Sequence, residues 1–190
     1  MGNRYFGELQ TDVYGTNADE GKIAHIELTA AQAVAADTDG LLDGTALSEE
    51  ASTVTEFLNA MPYPRNITIV ASDAQSGAAT VTGTNINDQV ITEELTINGT
   101  TPVLGAKAFK TVTSIALPAK SGTETVDVGW GDKIGLPYML TKKSLFMSLL
   151  DGVIETTAAA VVVDADEIEK NTVDLNSSLN GKVVDLYLVL

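Results

Sequence analysis

The sequence predicts an all-β or β-dominated chain: a β-sandwich or small Greek-key barrel with one or two short helices near the N-terminus. Three observations carry that expectation. Between Arg65 and Pro137, short runs rich in Thr, Val and Ile alternate apolar with polar residues, so each presents one apolar face. Gly, Asn and Asp separate these runs, which is the punctuation of hairpins. Aromatic residues make up only 5% of the chain and charged residues 19%, against 44% hydrophobic. That balance excludes a disordered chain and points to a thin core of Val, Ile, Leu and Ala.

The elements follow in order. Residues 1–22 lack sustained periodicity and hold Gly7, Gly15, Asn17 and Gly21. They read as an extended arm reaching a neighbouring subunit, or else as a frayed terminus, ahead of a β-rich domain over 23–190. Tyr5 and Phe6 are the arm's candidate contact residues. Lys22 to Leu28 reads as a strand with Ile23 facing away from Ile26 and Leu28. The Ala-rich segment Thr29 to Ala36 favours a short helix, stopped by Asp37-Thr38-Asp39-Gly40. A second short helix is expected within 48–61, where Val54, Phe57, Leu58 and Met61 recur at helical spacing. Pro62 and Pro64 then end it and impose extended chain.

Four strands follow: Asn66 to Val70, Ala79 to Thr84, Val90 to Ile97 closed by Asn98-Gly99, and Phe109 to Leu117 closed by Pro118. Thr123 to Val128 offers another. Trp130 sits between Gly129 and Gly131, as either a tight turn bearing a large anchor or an ordinary core plug. With Tyr138 it is a candidate contact hot spot, because aromatics carry much of the energy of interfaces. Leu145 to Leu149, Val153 to Thr157 and Ala158 to Val163 read as further strands, with Asp151-Gly152 as a two-residue hairpin. Lys182 to Leu190 reads as a strand whose apolar character calls for a pairing partner.

Five segments, in this order, resemble small β-rich virion proteins of tailed phages and prophages, in particular the head decoration (cement) proteins. They are Pro64-Arg65-Asn66-Ile67-Thr68-Ile69, the Thr80-Val81-Thr82-Gly83-Thr84 segment, the Glu93-Glu94 strand, Lys107-Ala108-Phe109-Lys110-Thr111-Val112 and Gly131-Asp132-Lys133-Ile134-Gly135-Leu136-Pro137. The likeness covers about residues 60–140, with an echo in Asn180 to Tyr187. It implies a non-enzymatic protein on the capsid exterior, with the major capsid protein as partner and a homo-oligomer, a trimer suiting three-fold positions. It supplies no catalytic residues. A tail-tube or tail-tip subunit and a carbohydrate-binding adhesive module are the other readings.

Charge and motif content narrow the chemistry. The net charge is −15, and the acidic excess lies in residues 1–64 and 151–190 while 65–150 balances. Nucleic-acid binding requires clustered Lys and Arg, and Lys142-Lys143 is the only adjacent basic pair, so no nucleic-acid partner is expected. The chain has no cysteine, hence no disulfide and no thiolate site. Met1 to Phe6 has no apolar signal core, and the apolar windows Ser144 to Ile154 and Ala158 to Val163 are too short to span a membrane. Synthesis in a host cytoplasm and no membrane partner are the expectations.

His25 is the sole histidine and reads as a structural or surface residue of its strand. No Gly-x-Ser-x-Gly turn, phosphate loop or dinucleotide fingerprint occurs. Asp37, Asp39 and Asp43, then Asp164, Asp166 and Glu167, are the best candidates for a hard-cation site such as calcium; the first lacks calcium-loop spacing, and solvated turns are the simpler reading of both. Glu93 and Glu94 are adjacent in a strand and point to opposite faces, which rules out a paired-carboxylate site. No catalytic residue, cofactor or metal is assigned.

Overall fold

The computed structural model describes residues 22–190 together with the short pair β1 (Leu9–Gln10) and β2 (Asn17–Ala18); Tyr5 and Phe6 lie outside the described residues. The chain is all-β. After β3 (Ile23–Leu28) come β4 (Asp37–Ala46), β5 (Ser52–Val54), β6 (Arg65–Ala71), β7 (Ala78–Thr84) and β8 (Val90–Thr96). Then follow β9 (Val103–Phe109), β10 (Thr111–Leu117), β11 (Thr125–Gly135), β12 (Leu145–Leu150) and β13 (Val153–Ile154). Last are β14 (Ala160–Val162), a single 3-10 turn at Ile168–Lys170, β15 (Thr172–Asp174) and β16 (Val184–Val189).

Every pairing among the described residues is antiparallel, as short turn-linked strands require. The first sheet runs β14-β15-β11-β6-β9 with β4 also on β11, the second β5-β10-β7-β8, and the third β13-β12-β16-β3. Two cores result. One packs the second sheet against β4, β6 and the first half of β11, through Ile67, Ile69, Val81, Leu95, Phe109, Ile115 and Val128. The other packs the third sheet against β14, β15 and the far end of β11, through Leu28, Ile134, Val173, Leu179, Val184, Leu186 and Leu188. β11 therefore serves both, with Trp130 in the first core and Ile134 in the second.

Between those two residues the β11–β6 register shifts, and a buried arginine occupies the seam. Arg65 is wholly enclosed; its Nε donates to the Gly131 carbonyl at 2.7 Å and its guanidinium donates to the Val34 carbonyl at 3.0 Å. Burial pushes its pKa down to about 10, against the pull of Asp132 and Asp174. A second enclosed polar residue, Asn171, binds the loops of the other core. Its Oδ1 accepts from the Leu140 and Asp164 amides, and its Nδ2 donates to the Asp164 and Glu167 carbonyls.

Neither expected helix forms. In 48–61 the segment Ser52-Thr53-Val54 pairs with the edge of β10, Val54 opposite Ile115, and the chain then bends. An available sheet edge, met by β-branched Thr53 and Val54, outcompetes the weak helical spacing. Val54, Phe57 and Met61 pack on the first core while Leu58 is 64% exposed. In Thr29 to Ala36 one turn forms, with the Gln32 and Ala33 amides donating to the Thr29 carbonyl, before the chain straightens into β4. Asp37 to Gly40, expected to stop a helix, opens that ten-residue strand.

Trp130 does not sit at a turn. It lies inside β11, 6% exposed, with Nε1 donating to the Ala35 carbonyl at 3.0 Å. The glycines around it serve close packing: a Cβ on Gly129 would fall 1.9 Å from the Asp37 carbonyl oxygen, and one on Gly40 2.5 Å from the indole ring. The hairpin at Asp151-Gly152 forms as expected, both residues at positive φ (48° and 74°).

Candidate interaction surface

The third sheet has one face in the second core and one face open. Period-two alternation places Ile26, Leu28, Val184, Leu186 and Leu188 inward. The same alternation turns Ile23, His25 and Glu27 of β3 and Asp185, Tyr187 and Val189 of β16 outward, where the register sets Val189 opposite Ile23, Tyr187 opposite His25 and Asp185 opposite Glu27. On the other side Met147 faces Tyr187, Leu149 faces Asp185, and Ile154 faces Leu149. A register shift between Leu145 and Met147 brings Phe146 against Tyr187, ring centroids 6.3 Å apart.

The open face is consequently apolar and aromatic through its middle. Ile23 is 69%, Phe146 54% and Ile154 59% exposed, with Met147, Leu149 and Tyr187 half-covered between them. Contiguous exposed apolar residues on a folded chain mark a contact surface, because water gains by their burial. Towards one end of β3 and β16 the patch carries the facing carboxylates Glu27 and Asp185. His25 stacks flat on Tyr187 (4.5 Å, 9° between planes), and its Nε2 lies 2.7 Å from an Asp185 carboxylate oxygen.

The sequence candidates are placed differently. Trp130 is a core plug of the first cluster, and Tyr138 is half-buried against the second, beside Tyr63. The two therefore belong to separate cores and do not form one surface. Sequence reasoning misses Phe146 and Tyr187, although a signal exists. Leu145-Phe146-Met147 is apolar on both faces of a short strand, which a strand with one face in water does not need.

The acidic groupings resolve into local structure. Asp37 and Asp39 lie close enough to raise the Asp37 pKa, chiefly through their mutual hydrogen bond and burial. Asp164 accepts from the Asp166 and Glu167 amides, which holds its carboxyl below the ordinary range, while Glu167 pairs with Lys107 and Lys170. Glu93 and Glu94 point to opposite faces as expected. Glu93 turns inward with Ile91 and Leu95, accepts from the Ala106 and Lys107 amides, and is raised mainly by burial. A separate cleft of about 480 Å³ opens beside β10, walled by Phe57, Met61, Pro62, Tyr63, Ile86 and Val112. Its lining is mixed, with Gln32, Asn59, Lys110 and Thr111 beside the apolar side chains.

No protein-family model, curated protein or solved structure matches this chain.

Proposed function

We propose that this is a non-enzymatic structural protein of a tailed-phage virion, one that decorates and cements the capsid through the open face of its third sheet. The exposed Ile23–Phe146–Ile154 face supports the reading: it is a built, rigid, apolar surface carried on paired strands rather than on loops. Such a face is suited to a wide, shallow contact of the standard size of about 1,600 Å², and not to the enclosure of a small molecule. The acidic rim of Glu27 and Asp185, on a chain of net charge −15, fits a partner surface that is apolar with basic residues around it. The major capsid protein is that partner in this reading, and self-association around a capsid symmetry axis supplies the bridging between neighbouring capsomers.

Co-sedimentation with undecorated particles tests it. The wild-type protein should saturate the particles and raise the temperature at which their genome escapes. Phe146→Asp with Ile154→Asp should fold, since neither side chain belongs to either core, yet fail to bind. Rings or filaments formed by the protein alone, without particle binding, would instead point to a tail subunit. Equal release temperatures with and without full occupancy would defeat the cementing role.

A further inference from the structure

The β3–β16 register brings three metal-binding side chains onto one patch. His25 and Glu27 are two apart on β3 and so share a face, and Asp185 lies directly across from Glu27 on β16. One ligand atom from each, an imidazole nitrogen and two carboxylate oxygens, all fall within 4.8 Å of one another. We propose that His25, Glu27 and Asp185 form a binding site for a divalent ion of the zinc class, with three protein ligands and an open position facing outward.

Four features favour this assignment. Zinc takes histidine and carboxylate ligands at about 2.0–2.2 Å, which sets tetrahedral ligand atoms about 3.3 Å apart. The His25 to Asp185 distance of 2.7 Å needs only a small outward adjustment, and Glu27, free in water, supplies the rest by rotamer change. The imidazole is also oriented in advance, held flat on Tyr187, and a fixed ring orientation is what outer partners give metal-bound histidines. Third, the chain has one histidine and no cysteine, so no other place on it offers an imidazole or thiolate, the donors that separate zinc-class ions from magnesium and calcium. Finally, two carboxylates neutralise the ion, and the negative field of the whole chain attracts it.

Binding would replace the direct contact between His25 and Asp185 with a metal cross-link between β3 and β16. The site would thus tie two strands distant in sequence and stabilise the sheet that carries the open face. This inference stands on the three side chains alone and is independent of the virion reading.

The test uses the full chain, stripped with a chelator and titrated with zinc chloride. The sole histidine gives a single set of ring resonances by NMR, so His25 reports without ambiguity. One equivalent of zinc should shift those resonances and raise the melting temperature, whereas magnesium at the same concentration should do neither. Glu27→Gln and Asp185→Asn should each weaken zinc binding by about tenfold or more in calorimetry, and His25→Ala should abolish it. Cobalt in place of zinc should give the visible absorption of a four-coordinate ion. Unmoved His25 resonances at saturating zinc would overturn the proposal, as would wild-type affinity in either carboxamide variant. The NMR readout needs no variant, so it decides the matter even where a substitution unfolds the sheet.

Discussion

At the scale of single residues, the buried polar groups hold positions that apolar side chains could not. Arg65 feeds the buried Gly131 carbonyl and the half-buried Val34 carbonyl from inside the seam. Arg65→Ala should cost roughly 1–3 kcal/mol for the stranded Gly131 carbonyl, and Arg65→Lys should recover little, because an ammonium lacks the planar fork. Urea unfolding of the two variants checks this; a lysine variant as stable as wild type would refute the role of the fork. Trp130 plugs the first core, and Trp130→Ala should cost about 3–5 kcal/mol. Gly40→Ala should also destabilise, since its methyl would meet the indole edge at 2.5 Å and overpacking costs typically about 1–3 kcal/mol. Parallel melting curves would show both, and an unchanged melting temperature in either would contradict the packing described for Trp130.

Among the elements, β8 carries a titratable group that faces the core. Burial raises Glu93 above the ordinary carboxyl range, partly opposed by the Ala106 and Lys107 amides and by Lys107 and Lys133. The folded state therefore holds this proton more tightly than the unfolded state. Its stabilising contribution is complete below the unfolded carboxyl pKa of about 4.3 and is lost as pH rises through the higher folded value. Glu93→Gln stays neutral throughout, so wild type should lose ground to it as pH rises from the unfolded carboxyl range through the higher folded value. Unfolding midpoints across that range decide the sign, and a wild type that gains on the variant instead would reverse the assignment.

The elements also show what can be read in advance. Strands with clean alternation, such as Ile23–Leu28 and Ala78–Thr84, are legible because one face meets a core and one meets water. β4 is not, because Asp37, Asp39, Gly40, Asp43 and Gly44 carry turn chemistry, and only the approach of β11 makes the segment extend. β9 escapes for a similar reason: Gly105 and Lys107 break its pattern, and the chain breaks at Lys110 where the sequence suggests a single strand. The open face is half-visible, in the two-sided apolar β12, but its partner residues on β3 and β16 meet only through pairing between opposite ends of the described chain.

For the whole molecule, the arm expected over residues 1–22 and the open face call for separate tests. If residues 1–22 contribute contacts beyond the parent domain, deleting Met1 to Asp19 should leave the melting temperature nearly unchanged while weakening particle binding. A deletion that binds normally would remove the arm from the reading. Sharing of β11 between two cores predicts that they unfold together, with the amide protons of Val128 and Ile134 exchanging with one common opening free energy; different free energies would show two independent units.

The third sheet also has a consequence in time. Its central strand β16 joins β12 on one side and β3 on the other, and the Lys22 and Leu190 backbones exchange hydrogen bonds in both directions. Residues 23–28 cannot be paired until residues 184–189 arrive, so a long loop must close before that contact is rewarded. Until it does, Ile26 and Leu28 have no strand beside them, and Ile23, His25 and Glu27 are missing from the open face. If the open face is the binding surface, as we propose, its β3 side is completed only by that long-range pairing, while Phe146 and Ile154 stand on the local β12–β13 hairpin.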